Sequence, residues 1–133
     1  MLRVSEAGRA PSAVGSPEHF TGKMRIDAPF QADAPARVGG ATVTFEPGAC
    51  TAWHTHPLGQ ALIVAAGAGR VHEWGKPAQQ IRPGDIAWIP PGAKHWHGAN
   101  ANVAMTHIAI AESQDSLPVT WLEQVSEAQY AAE

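Results

Sequence analysis

The segment "GACTAWHTHPLGQALIVAAG", residues 48–67, sets His54 and His56 one residue apart and follows them with Gln60. Side chains of an extended chain alternate between its two faces, so His54 and His56 project together and Trp53 projects the other way. A second stretch, "GAKHWHGAN" at residues 92–100, repeats the arrangement with His95 and His97 around Trp96. Glycines and prolines bracket both strands, which fits tight turns delivering adjacent strands to one barrel mouth, a common place for ligand sites. A single H-x-H pair is explained at least as well by a packed, half-exposed strand as by a metal. The second pair shifts that balance, because imidazoles are frequent metal ligands, and three of them with one oxygen donor hold a divalent cation while leaving positions open. Gln60 is an uncharged oxygen donor where a carboxylate is usual.

The rest of the chain supplies the frame. At 133 residues it makes one domain, able to bury roughly two thirds of its unfolded surface. Apolar residues form 44% and charged residues 16%, with a net charge of −3, so nothing attracts nucleic acid or an anionic membrane. Cys50 is the only cysteine, which excludes an internal disulfide. The absence of an apolar N-terminal run points to a cytoplasmic protein.

Thirteen glycines and eleven prolines punctuate the sequence in the manner of an all-β sandwich or barrel. Residues 1–19 read as an irregular N-terminal arm and 20–133 as a single domain. Strands are expected near 22–27, 40–46, 51–56, 60–66, 69–74, 78–82, 85–89, 94–98 and 102–111, with one more in "VTWLEQV" at 119–125. "SEAQ" at 126–129 is a capping-box signature that opens a short C-terminal helix. Leu62, Val64, Ile86 and Trp88 are expected to line the barrel or its core, and Trp121 and Tyr130 to pack the C-terminal segment against the barrel. His19 and His72 are expected in solvent.

The spacing Gly48, His54, His56, Gln60, Gly67 resembles the first cupin motif, G-x5-H-x-H-x3-E-x6-G, with glutamine for the glutamate. Gly84, Pro90, Gly92 and His95 resemble the second, G-x5-P-x-G-x2-H-x3-N, with Ala99 for the asparagine. The resemblance implies a jelly-roll barrel, the double-stranded β-helix, with His54, His56, Gln60 and His95 as metal ligands. From Phe20 to Tyr130, "FTGKMRID", "VTFEPGACTAWHTHPLGQ", "PGDIAWIPPGAKHWHGA" and "AMTHIAIAE" look like the small bacterial cupins that include manganese-dependent hydroxynitrile lyases, which share the glutamine. That branch implies Mn2+ as the metal, with Fe2+, Ni2+ or Zn2+ as alternatives. It also implies His97 and His107 beside the metal and Ala41 and Val43 lining a substrate pocket. Ala111 stands where family members can carry a larger polar residue.

Three functions follow from this resemblance. The first is a carbon–carbon lyase splitting (R)-cyanohydrins into an aldehyde and HCN, with His107 as general base and His97 or protonated His107 acting on cyanide. The second is another metal-dependent cupin enzyme, a dioxygenase, isomerase or decarboxylase acting on a small oxygenated compound. The third is a non-enzymatic protein that binds a metal or small ligand. A small-molecule substrate and a homo-oligomer, dimer or tetramer, are the expected partners, because unpaired strand edges invite pairing.

Overall fold

Strict alternation places Gln60, Leu62 and Val64 of "QALIVAAG" on one buried face and Ala61 and Ile63 on the other. The computed structural model describes residues 1–132 and carries this pattern into two curled antiparallel sheets. In the first sheet β2 (Met24–Gln31) pairs with β3 (Val38–Phe45), which pairs with β11 (Met105–Glu112). The next neighbour of β11 is β6 (Gln60–Gly67), and β9 (Ile86–Ile89) closes that edge. In the second sheet β1 (Phe20–Thr21), β4 (Cys50–Thr51), β10 (His95–Ala99), β5 (His54–Thr55) and β12 (Thr120–Trp121) follow one another. There β7 (Gly69–Glu73) also pairs with β10, and β8 (Gln79–Ile81) with β7. The architecture is the expected jelly-roll barrel with one short C-terminal helix.

The inner faces enclose Met24, Phe45, Val64, Ile81 and Met105, all buried. A second cluster, Cys50, Trp53, Trp96 and Val125, lies on the outer side of the second sheet under α1 (Glu127–Ala131). Ser126 caps that helix reciprocally with Gln129, whose Oε1 also accepts the Trp53 indole N–H at 3.1 Å. The Tyr130 hydroxyl donates to the Ala99 carbonyl at 2.6 Å. Five helical residues alone are too short to hold a helix, so the capping box and these contacts fix it. Burial pushes the Cys50 thiol up to about 11, which keeps it protonated at neutral pH.

Several expectations need correction. The strand expected over 51–56 is two short pieces, because Ala52 N–H donates to the His19 carbonyl and Trp53 N–H to the Glu123 carbonyl rather than to a sheet neighbour. Only Thr120–Trp121 of "VTWLEQV" is strand. Ile86 and Trp88 are 70% and 61% exposed, since Ala87 and Ile89 take the inward face of β9. His19 is half-buried and stacked on Trp121 at 4.4 Å. His72 is half-buried too, its Nε2 donating to the Lys76 carbonyl at 2.6 Å while its ring lies against Trp53 and Trp96.

Residues 1–19 carry no regular strand or helix and touch the first sheet through a bridge between Ala13 and Ile26. Gly67 sits at φ +76, and a Cβ there would collide with the Ala104 carbonyl. Leu62 is fully buried between the sheets. Leu62→Ala is expected to cost about 2–5 kcal/mol, read as a lower urea midpoint at unchanged m-value.

Candidate metal centre

Five histidines gather inside one end of the barrel, delivered by β5, the turn after it, β10 and β11. His54 belongs to β5, which pairs with β10 so that His54 faces His95 directly. His56 follows in the turn before β6, and Gly92 N–H donates to its carbonyl at 2.9 Å, tying that turn to the one leading into β10. Gln60 begins β6. His97 shares the inward face of β10 with His95. His107 of β11 lies opposite Val43 of β3 and Val64 of β6, and it is fully buried.

The ring nitrogens are oriented by the main chain. His54 Nδ1 faces the Ala52 carbonyl at 2.8 Å, His56 Nδ1 the Pro118 carbonyl at 2.7 Å, and His95 Nδ1 the Ala93 carbonyl at 3.0 Å. A carbonyl only accepts, so each Nδ1 carries the proton and each Nε2 keeps its lone pair. His56 Nε2, His95 Nε2 and Gln60 Oε1 are buried with no hydrogen-bond partner. Buried polar atoms are seldom left without one, and three such acceptors, two imidazoles and an amide, beside the His54 imidazole fit a divalent cation. Among the described residues, ligating nitrogens of His54, His95 and His97 lie within 4.8 Å of one another, a triad that could bind a metal and that groups His97, rather than the expected His56, with His54 and His95.

His97 Nδ1 and His107 Nε2 are 3.0 Å apart, whereas His97 Nε2 and His107 Nδ1 have no partner. One proton therefore lies between the two rings and each ring keeps a second nitrogen free. Phe45 packs edge-on against His97 at 5.9 Å and tilted against His107 at 5.4 Å, and both imidazoles are buried. Burial holds His54 and His97 well below the ordinary imidazole value and lowers His56 as well. It takes His95 and His107 to about 4. All five rings are neutral at neutral pH, the form that ligates a metal and accepts a proton.

The register also locates the remaining candidates. Ala41 pairs with Ala109, Val43 with His107, and Ala111 with both Gly39 and Gln60. Ala41, Val43 and Ala111 thus share the inward face with His107, and Ala111 sits beside Gln60. The inward choice on "AMTHIAIAE" is settled in favour of His107, while Ile108 and Ile110 occupy the outer face half-buried. Sequence reasoning missed the three carbonyls that orient the imidazoles. It also missed the Trp121 ring, 4.8 Å from the His54 ring, whose only signal was the register of a two-residue strand. Thr51 was missed too: its hydroxyl accepts the His97 N–H at 3.2 Å.

The family model described as "Cupin domain" matches residues 41–111. The chain is 53% identical over 129 residues to an (R)-mandelonitrile lyase of Granulicella tundricola, covering 97% of this chain and 98% of that one. A cupin-like protein from Thermotoga maritima superposes with a TM-score of 0.83 at 38% identity, over 96% of this chain and 94% of that chain. The polyketide cyclase RemF from Streptomyces resistomycificus shares the fold at a TM-score of 0.75 and 16% identity, over 98% and 91%. No described helix is long and apolar enough to cross a membrane.

The lowered imidazole values give a pH dependence of fixed sign. Above pH 6.5 both folded and unfolded rings are neutral; below it the unfolded chain takes up protons that the buried rings refuse until about pH 4. Metal-free protein kept in a chelator is therefore expected to lose stability steadily from pH 6.5 toward 4, with a plateau above pH 7. Urea midpoints across that range check it.

Proposed function

The chain belongs to the cupin family, and on that premise we propose that it is a metal-dependent carbon–carbon lyase that cleaves or forms (R)-cyanohydrins. A relative of this identity being a lyase supports an enzyme of the family. The observation that carries the finer reading is the buried His97–His107 pair, hydrogen-bonded within reach of oriented, unprotonated imidazoles. A protein that only stored a metal has no use for a buried pair of proton acceptors at the same place.

In this reading His54, His56, His95 and Gln60 hold a divalent cation, Mn2+ in the first instance, with Fe2+, Ni2+ and Zn2+ the alternatives. When bound there, such a cation supplies Lewis acidity to a hydroxyl oxygen and lowers its pKa. His107 takes the hydroxyl proton at a ring nitrogen, and the hydrogen bond to His97 spreads the charge it gains. The carbon–cyanide bond then breaks with its electron pair on cyanide while the carbonyl forms. The proton held by the His97–His107 pair passes to cyanide, giving HCN and the aldehyde.

Ala41, Val43 and Ala111 leave room for the substrate's side group because small residues line that inward face. Gln60 keeps the ligand set uncharged, so the cation retains more of its charge toward the substrate oxygen. The protein acts on a small molecule and assembles as a homo-oligomer of two or four copies. The exposed Ile86 and Trp88 on the edge strand β9 support that assembly.

Protein analysed for bound Mn, Fe, Ni, Zn and Cu, then stripped and reconstituted with Mn2+, is expected to release benzaldehyde from racemic mandelonitrile with or without oxygen, and to lose that activity on chelation. His107→Ala is expected to lower turnover by about 10²–10⁴ at unchanged metal content. Inactivity of the fully loaded protein together with oxygen uptake on another substrate would point instead to an oxygen-dependent cupin. Gln60→Glu is expected to retain metal and cleave more slowly. Equal or faster turnover in that variant removes the charge argument.

A further inference from the structure

The jelly roll leaves a seam where the edge of β8 in one sheet faces the edge of β9 in the other. A cleft of about 370 Å³ follows this seam, lined by Gln79–Ile81 of β8, Ile86–Ile89 of β9 and, among others, His95. Its polar lining includes Glu73, Gln79 and Asp85, and neither a lysine nor an arginine contributes to it. Glu73 lies on the same face of β7 as Val71, and its Cα is the register partner of His95 across β7 and β10. Side chains of directly opposed residues begin about 4.5–5.5 Å apart, so the Glu73 carboxylate starts beside the His95 ring. Glu73 enters no ion pair among the described residues, and the nearby Lys94 is turned away onto Glu123 and the Trp74 ring.

The cleft lining has a feature that points to a ligand. His95 is 1% exposed, and its Nε2 has no hydrogen-bond partner. An acidic cleft with no lysine or arginine in its lining and a histidine whose Nε2 is unpartnered suits a divalent cation, whereas it repels anions such as cyanide.

We propose that the seam between β8 and β9 is the route by which the divalent cation reaches the barrel interior, with the exposed Glu73 carboxylate capturing it before transfer to His95. This rests on the metal-dependent reading above but assigns a separate role to separate residues. Glu73 is not a ligand of the resting site. It lends one charge at the entrance, and the histidines then replace it. Because capture precedes the final state, Glu73 governs the rates of uptake and release more than the affinity.

Chelator-stripped, full-length protein mixed with Mn2+ alone, followed by loss of the free-Mn2+ paramagnetic resonance signal, tests this. Glu73→Gln is expected to take up Mn2+ about three- to tenfold more slowly at low salt, with the gap narrowing at high salt and Kd changing less than the rate. Gln79→Lys, which adds a positive charge to the cleft, is expected to slow uptake as well. Glu46→Gln, which removes the same charge at a remote exposed position, is expected to leave it unchanged. Equal uptake by wild type and Glu73→Gln overturns the route while the metal site stands. Slower uptake with Kd weakened in proportion and release unchanged makes Glu73 part of the resting site and also overturns it. Failure of wild type to take up Mn2+, or Fe2+, Ni2+ or Zn2+ in its place, overturns both the route and the metal-dependent function.

Discussion

Three backbone carbonyls, those of Ala52, Ala93 and Pro118, decide what the histidines can do. An imidazole free to choose its tautomer offers either nitrogen as a donor or an acceptor, and a cluster of such rings could satisfy itself by internal hydrogen bonds. Here each Nδ1 proton is already committed to the main chain, so three lone pairs must face inward. The barrel geometry follows from the same requirement. The turns at 52–53 and 93–94 and the segment reaching Pro118 have to come to one end of the two sheets.

Neutrality is the second governing property. Burial keeps all five rings neutral, and the buried Gln60 side chain is uncharged too. The interior therefore offers dipoles and lone pairs rather than formal charge. A carboxylate first appears at the outer seam, on Glu73, where solvent still screens it. On the route proposed above, charge outside and lone pairs inside would draw a cation inward and leave its field largely uncancelled.

Much of this was legible because it is local. The second H-x-H pair on one strand and the capping box at Ser126 need only short-range spacing and appear as read, whereas the first pair puts only His54 on a strand and His56 in the turn after it. What failed depended on remote partners. Nothing within residues 51–56 announces that Ala52 and Trp53 bond to His19 and Glu123, so the strand read there is broken. In "IAWI" of β9 both faces are apolar, and alternation alone cannot choose between Ile86 and Trp88 on one side and Ala87 and Ile89 on the other. In "AMTHIAIAE" hydrophobicity favours the wrong face, and only the family likeness pointed His107 inward. The hydrogen bond between His97 and His107 joins two strands in different sheets and has no sequence signature.

The attachment of the C-terminal segment sets an order of assembly. By residue 107 the chain has every histidine of the cluster, yet the carbonyl that orients His56 belongs to Pro118, the strand that pairs with His54 is Thr120–Trp121, and the amide that receives the Trp53 indole is Gln129. A nascent chain emerging from the ribosome thus has its imidazoles, and the Ala52 and Ala93 carbonyls that orient His54 and His95, well before it has the carbonyl that orients His56. Residues 118–129 act as a keystone, completing an array that the earlier chain has begun.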